Sequence, residues 1–231
     1  MEEIIKGFIQ AVRLIVALDP KVLEIVSLSL RVTGTALLFS TLVGIPLGSW
    51  LGLKRFIGRR LVIALLYTGM GFPPTVVGLF VFLMLSRSGP FGQLAWLFSP
   101  KAMITAQVII SFPLVAGFTM ASVMGVDPDL RRQLLSLGAT DWQATLAILM
   151  EAKTGVIVSL IAGFGSIISE VGAVMLVGGN IEGATRVLTT AIVLETRKGN
   201  FALAMALGVI LLALSFAANL TMLHLQGRLG E

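Results

Sequence analysis

Five apolar stretches, each long enough to cross a lipid bilayer, dominate this chain. The first, residues 32–53, contains no charged side chain. The others are residues 61–86, 102–126, 154–177 and 201–223. About 20 apolar residues span the hydrocarbon core as a helix, and a helix makes internally the backbone hydrogen bonds that lipid cannot offer. With 56% hydrophobic and only 13% charged residues, the sequence predicts an all-α integral membrane protein with about five transmembrane helices.

The N-terminal segment, residues 1–21, is predicted to form a separate helix at the membrane surface. Its apolar part, residues 4–18, is short for a span and carries Lys6 and Arg13, which favours an amphipathic helix that lies in the interface. The chain opens with two glutamates where a signal peptide would be basic, so we expect this segment to be retained.

The loop between the first two spans, residues 54–60, carries four basic residues in seven positions. Lysine and arginine in short loops mark the cytoplasmic side of a membrane protein. Five crossings then place the N-terminus outside and the C-terminal tail, residues 226–231, in the cytoplasm. Residues 22–225 form the transmembrane domain between these two ends.

Proline interrupts two of the spans. Phe72, Pro73, Pro74 and Thr75 belong to a stretch that breaks the second span near its middle, because two adjacent prolines remove two helical donors. Pro113 is expected to break the third span in the same way. Freed backbone groups at membrane depth must face protein or a water-filled path. These four residues are therefore candidates for such a path, and the alternative is that they only shape the helix bundle.

Small residues mark one side of the first span. Gly44, Gly48 and Gly52 follow each other at intervals of four residues around Pro46. Small residues at this spacing allow a second helix to approach closely. We interpret them as a packing surface and expect a kink at Pro46.

Glu170 is an ionisable residue inside the fourth span, close to Ser166 and Ser169. A carboxylate at this depth is costly unless it is paired or hydrated, so it is a candidate functional residue. One interpretation is a gate beside a path lined by hydroxyl groups; the other is a hydrogen bond between helices that holds the bundle together. Arg31, at the edge of the first span, is the nearest cation without a role, and no pairing follows from the sequence.

Motifs for catalysis are absent from the sequence. The only Lys-Ser/Thr pair, Lys153 and Thr154, follows Ala152 where a phosphate-binding loop requires glycine, so the chain is not expected to hydrolyse ATP by itself. No metal-binding motif and no cysteine is present. The competing class of function is an intramembrane enzyme that uses Glu170 as its acid or base, and such an enzyme lacks a nucleophile or metal here.

One polar stretch, residues 127–142, interrupts the apolar segments and is expected to contact a cytoplasmic partner. Its part from Arg132 to Trp142 resembles the cytoplasmic loop signature of ABC importer permeases, in which Glu-Ala-Ala is followed after three residues by glycine, then alanine, and later by an aromatic residue. Gly138, Ala139 and Trp142 match this signature, whereas Arg-Gln-Leu stands in place of Glu-Ala-Ala.

Further segments narrow the resemblance to the molybdate, tungstate and sulfate permease group. Residues 72–78, 86–92 and 169–180 look like segments of that group, and residues 189–200 look most like its tungstate branch. The resemblance covers roughly residues 30–225, with its segments in the same order.

The resemblance implies a type I ABC importer-like fold and a permease subunit of an ATP-driven oxyanion importer, most like the tungstate (or molybdate) systems, in the inner or plasma membrane of a prokaryote. Two copies of the chain would form the path and work by alternating access. The implied partners are a second copy, two ATP-binding subunits that hold the ATP and Mg, a periplasmic or lipid-anchored substrate-binding protein and membrane lipid. No nucleic acid and no cofactor is expected for this chain. A permease for another solute, such as sulfate, is the alternative.

The resemblance and the breaks together assign candidate residues, with no catalytic or metal site among them. A coupling loop, residues 127–151, would contact the ATPase. Its coupling residues are Arg132, Leu137, Gly138, Ala139, Thr140, Asp141 and Trp142. The candidates for the path or its gate are Phe72, Pro73, Pro74, Thr75, Ser166, Ser169 and Glu170.

Overall fold

Helices make up almost the whole protein. The computed structural model describes residues 2–17 and 19–228, which form eleven α-helices, one short 3₁₀ helix and no strand. The helices are α1 (Glu2–Val16), α2 (Pro20–Leu53), α3 (Arg59–Met70), α4 (Pro74–Leu85), the 3₁₀ helix (Gly92–Leu94), α5 (Pro100–Met124), α6 (Pro128–Ser136), α7 (Asp141–Glu151), α8 (Lys153–Ile168), α9 (Gly172–Gly178), α10 (Leu188–Arg197) and α11 (Phe201–Arg228). The last three residues of the predicted cytoplasmic tail lie outside the described residues.

Three single helices are long and apolar enough to cross a membrane: α2, α5 and α11. Two bent pairs pass the same test together, α3 with α4 at an angle of 100° and α7 with α8 at 70°. The described residues therefore contain three spans, or up to five if each bent pair is one span. The prediction of an all-α membrane protein is confirmed.

The first span begins earlier than the hydropathy pattern predicts. Helix α2 has 34 residues, which corresponds to about 50 Å, longer than the roughly 30 Å hydrocarbon core. Its start is set by Asp19, whose carboxylate accepts hydrogen bonds from the backbone N–H groups of Lys21 (3.0 Å) and Val22 (3.1 Å). The predicted span begins after Arg31 because that residue is charged. A charged side chain does not end a helix, so α2 continues through it.

The residues cluster into two compact units, and α2 contributes to both. The first unit comprises Met1–Ala36, Pro73–Gln107 and Ile167–Asn219. Its apolar core is formed by Val22 of α2, Leu188 and Ala191 of α10, and Leu207 and Ile210 of α11. Helix α4 packs on α9 within this unit, where a Cβ on Gly78 would lie only 2.5 Å from the Cα of Ala173. The absence of a side chain at Gly78 thus brings the two backbones into contact.

The second unit comprises Leu37–Phe72, Val108–Ser166 and Leu220–Glu231. One core cluster of this unit consists of Leu51, Leu66, Ala116 and Met120, which join α2, α3 and α5. A second cluster consists of Val123, Ile148 and Ala152, which join α5 to α7 and its end.

The glycines of α2 form a packing surface, as predicted. A Cβ on Gly44 would lie 2.9 Å from Val115 Cγ1, and one on Gly52 would lie 2.9 Å from Val123 Cγ1. Gly48 lies between them against the backbone carbonyl of Ala116. Helices α2 and α5 therefore approach closely in the second unit because these positions carry no side chain.

The break in the second span is confirmed, and two other predictions are wrong. Helix α5 runs through Pro113 without interruption, because the loss of one backbone donor is tolerated inside a packed helix bundle. The fourth span is not one helix over residues 154–177: α8 ends at Ile168, and α9 starts only at Gly172. Side chains from distant parts of the sequence form hydrogen bonds with backbone groups at this second break.

Candidate functional site

Helices α6 and α7 form a tight helical hairpin, here called the α6–α7 elbow (residues 127–151). The Asp127 carboxylate caps α6 by accepting from the N–H of Asp129 at 2.9 Å. Helix α6 ends at Ser136, and the residue after its C-cap, Gly138, is left-handed with φ +89°. The N–H of Gly138 donates to the Leu135 carbonyl (3.1 Å), and that of Ala139 donates to the Leu134 carbonyl (3.0 Å). This pattern is a Schellman motif, and glycine suits its left-handed position because it has no Cβ.

Helix α7 begins three residues after the glycine, and its N-cap residue, Thr140, forms a capping box. The Thr140 hydroxyl accepts from the Gln143 N–H at 3.3 Å, and the Gln143 side chain accepts from the Thr140 N–H at 2.8 Å. Asp141 in the first turn forms an ion pair with Arg131 of α6, and Lys54 lies 3.8 Å from the same carboxylate. These contacts fix the angle between the two helices. The polar stretch predicted from the sequence is thus part of a pair of helices joined by a turn at Gly138.

The apolar residues at the tip of the elbow are unusually exposed. Leu137 is 85% exposed and Trp142 is 73% exposed. Arg132 of α6 is exposed and pairs with Asp129 at 2.8 Å. Exposed tryptophan and leucine side chains that lie close together are typical of a surface that a partner protein covers.

The predicted coupling residues lie together in this elbow. Gly138, Ala139 and Thr140 form the turn, and Asp141 and Trp142 open α7. The predicted coupling residues are thus neighbours in the elbow. Most of them form its turn or cap its helices. The contact with an ATPase remains a prediction.

The break between α8 and α9 contains Ser169 and Glu170. Ser169 is exposed and Glu170 is half-buried. The Glu170 carboxylate accepts from the N–H of Ala173 at 2.9 Å, so it caps the start of α9, where a negative charge is also favoured by the helix dipole. No ion pair among the described residues contains Glu170 or Arg31. Glu170 therefore acts as a local cap in this structure, a role that neither interpretation from the sequence included.

Two residues that the sequence analysis missed form hydrogen bonds with the backbone at this break. The Gln107 side-chain amide donates to the Ile167 carbonyl at 3.1 Å, and the Thr189 hydroxyl donates to the Glu170 carbonyl at 2.9 Å. Both side chains are buried. Together with Ser29 and Thr33 they line a small crevice of about 10 Å³ beside Glu170, which offers room for about one water molecule. Gln107 inside an apolar span was the one signal in the sequence that could have pointed to this site.

The first unit brings part of the predicted path together. A Cβ on Gly172 would lie 2.5 Å from the Thr75 methyl group and 3.5 Å from the Glu170 carboxylate, so the start of α4 lies against the start of α9. Pro74 is the first residue of α4, and the Pro73 carbonyl accepts from the N–H of Val76 at 2.9 Å. Phe72 and Ser166 belong to the second unit.

A charged loop follows α9 at the end of the first unit. Glu182 pairs with Arg186 (3.1 Å) and with Lys21 (3.4 Å). Hydrogen bonding to Arg186, and then to Lys21, lowers the pKa of the Glu182 carboxyl below its ordinary value. The pair with Lys21 connects the loop to the start of α2, and sequence reasoning did not foresee it because Lys21 and Glu182 are far apart in the chain.

This chain is similar in sequence to known transport proteins. Residues 44–231 match the family described as binding-protein-dependent transport system inner membrane component. The chain is 42% identical over 226 residues to the tungstate uptake system permease protein TupB of Peptoclostridium acidaminophilum, covering 98% of this chain and 99% of that protein. It is 43% identical over 201 residues to a probable anion ABC transporter permease protein of Haloferax volcanii, covering 85% and 87% of the two chains.

A solved structure shows the same fold. A bacterial alginate ABC transporter in complex with an alginate pentasaccharide-bound periplasmic protein has a chain that superposes with a TM-score of 0.72 at 23% identity, covering 89% of this chain and 78% of that one. The type I ABC importer-like fold predicted from the sequence is confirmed, and an enzyme is excluded as the class of function. This chain belongs to the family of binding-protein-dependent transport system inner membrane components and is an ABC transporter permease subunit of the cell membrane.

Proposed function

We propose that this chain is the membrane subunit of an ATP-driven importer for tungstate (or molybdate). The observation that carries the proposal is the 42% identity to a tungstate uptake permease over nearly the full length of both proteins. The chemistry of the interior agrees with a weakly held anion: the buried polar side chains of the described residues are serines, threonines and one glutamine, with no lysine or arginine. Hydroxyl groups can guide a dianion and release it again.

The path is formed by two copies of the chain and operates by alternating access. The break at Glu170 and the Pro73–Pro74 turn supply short helices with irregular backbone between them, which at membrane depth must face protein or a water-filled cavity. Glu170 is an unsuitable ligand for a dianion because both are negative. It maintains the break that forms the path, through its bond to Ala173.

A separate ATPase supplies the energy and holds the ATP and Mg. The exposed Leu137 and Trp142 enter a groove on that subunit, and the ion pair between Arg131 and Asp141 makes the elbow stiff enough to transmit its movement. A periplasmic or lipid-anchored binding protein delivers the anion on the opposite side. Selectivity resides mainly in that protein.

Uptake measurements test the transported anion. A strain that lacks its own tungstate and molybdate importers, complemented with this chain and its partner genes, should accumulate tungsten at nanomolar external tungstate. Intracellular tungsten, molybdenum and sulfur are measured by elemental analysis. We expect excess molybdate to compete partly and excess sulfate to leave tungsten uptake unchanged. Tungsten uptake that sulfate suppresses at equal concentration would contradict the proposal.

The topology is proposed with the N-terminus outside and the elbow in the cytoplasm. Because the chain contains no cysteine, single cysteines report their location without background. The exposed positions Ile57 and Ser136 should be labelled only after the inner face is opened, and Ser88 and Ala184 should be labelled in intact cells. Labelling of Ile57→Cys from outside intact cells, with Ser88→Cys protected, would reverse the orientation.

A further inference from the structure

The end of α2, the loop after it and the start of α6 enclose a cationic pocket that the proposed transport cycle does not use. The pocket has a volume of about 290 Å³ and lies within the second unit. Three arginines contribute to its wall, Arg55, Arg59 and Arg131. The geometry points to a binding site for the phosphate group of an anionic phospholipid.

The pocket wall carries a net positive charge, because it contains three arginines and one carboxylate. Neither Arg55 nor Arg59 forms an ion pair with a carboxylate of the described chain. Arg59 donates from Nε to the Leu51 carbonyl at 2.8 Å, which holds its guanidinium at the end of α2. Asp127 is the only carboxylate in the described wall; it accepts the backbone N–H of Asp129 and offsets one of the three arginine charges.

Arg131 contributes a donor that lacks an acceptor. One edge of its guanidinium is bound to Asp141. Its Nε–H is buried and has no hydrogen-bond partner within the described part of the chain. A buried donor without an acceptor is costly, and a phosphate accepts well from the planar fork of an arginine. Binding would therefore let the Arg131 side chain turn its unused donor toward the phosphate.

The depth of the pocket favours a lipid over a free anion. Its wall includes the last turns of α2 and α5, near Leu53 and Val123, so it lies where two candidate spans leave the membrane. Trp50 stacks on Phe56 at 4.5 Å between ring centroids at the same end of α2, and tryptophan is enriched at the headgroup level. Basic pockets at the ends of spans bind anionic headgroups, while their apolar walls accept the lipid tails.

A bound lipid would also stabilise the elbow. The phosphate would contact the guanidinium that ties α6 to α7 through Asp141, so occupancy would support the surface on which the ATPase is proposed to act. This inference concerns a ligand other than the transported anion and does not depend on whether that anion is tungstate.

Native mass spectrometry of the full chain in a neutral detergent tests the site. Phosphatidylglycerol is titrated into the native chain, the Arg55→Gln variant and the Arg60→Gln variant, with phosphatidylcholine as the neutral lipid. Arg60 is the matched control: it is an exposed basic residue of the first turn of α3, has no described partner and is not in the pocket wall. One basic residue at a membrane surface changes affinity about fivefold, so Arg55→Gln should bind the first phosphatidylglycerol about fivefold more weakly.

The outcomes separate the possible ligands. Weaker phosphatidylglycerol binding in Arg55→Gln, with Arg60→Gln unchanged, supports the lipid site. If inorganic phosphate binds the native chain, competes with the lipid and loses affinity in Arg55→Gln alone, the phosphate chemistry is supported and the source of the ligand is the soluble pool. Equal effects of the two substitutions, or no preference for phosphatidylglycerol together with no phosphate binding, would overturn the proposal.

Discussion

Replacement of Gly138 by leucine is expected to reduce uptake roughly fivefold to thirtyfold while the chain still inserts into the membrane. The reason is the backbone: Gly138 has φ +89°, and no atom lies within 4 Å of the position that a Cβ would take. A Cβ at this position therefore meets no crowding from the rest of the chain. A left-handed conformation costs a residue with a Cβ about 1–2 kcal/mol, which reduces the population of the intact turn by roughly fivefold to thirtyfold.

Gly199 provides a matched control for this substitution. It also ends a helix in the left-handed region, with φ +78° and no atoms nearby, and its neighbouring N–H groups bond to Thr196 and Glu195 in the same pattern. It lies outside the elbow, so Gly199→Leu bears a similar backbone cost without disturbing the proposed ATPase contact. Uptake, membrane level and co-purification of the ATPase are measured for both variants. Equal loss in both would mean that general destabilisation, and not the elbow, explains the effect.

A third variant separates the turn from the contact surface. Asparagine adopts the left-handed conformation more readily than leucine, so Gly138→Asn should recover much of the uptake if the turn alone requires glycine. If Gly138→Asn is as inactive as Gly138→Leu, the partner groove itself excludes a side chain at this position. Wild-type uptake by Gly138→Leu would contradict the assignment of the elbow as the coupling surface.

Glu170→Ala is expected to abolish most uptake, whereas Glu170→Gln should retain most of it. The carboxylate of Glu170 accepts from the Ala173 N–H at 2.9 Å. Glutamine keeps an acceptor oxygen at this position, and alanine leaves the N–H without one, at a cost of about 1–3 kcal/mol. Loss of the cap should loosen the start of α9, which lies against Thr75 of α4.

The measurement compares uptake at matched membrane levels with the thermal stability of the purified chains. Glu24→Ala is the control, because Glu24 is an exposed carboxylate of the same unit without an ion pair among the described residues. The alanine variant at position 170 should lose stability and uptake together. Glutamine as poor as alanine would show that the negative charge itself is required. Wild-type uptake by both variants would show that the residue has no functional role.

The sequence alone determines the membrane character, the coarse order of the spans and the family. These features depend on sums over local residues: apolar side chains partition into lipid wherever the chain folds, and the double proline at Pro73 and Pro74 removes helical donors in any context. The turn at Gly138 is equally local, because the left-handed conformation is available to glycine without a partner. The packing of Gly44, Gly48 and Gly52 on α5 could also be expected from the sequence, because their spacing places them on one side of the helix.

Only the tertiary structure decided where the helices end inside the membrane and what Glu170 does. The break after Ile168 exists because Gln107, 60 residues away in sequence, and Thr189, 19 residues from Glu170, satisfy backbone groups that lipid would leave unpaired. Pro113, by contrast, is tolerated within a continuous helix. Hydropathy measures the transfer of each residue into lipid, and it contains no information about which distant side chain will supply a hydrogen bond. For that reason the spans could be located from the sequence, while their interruptions depended on contacts that form only when the chain is folded.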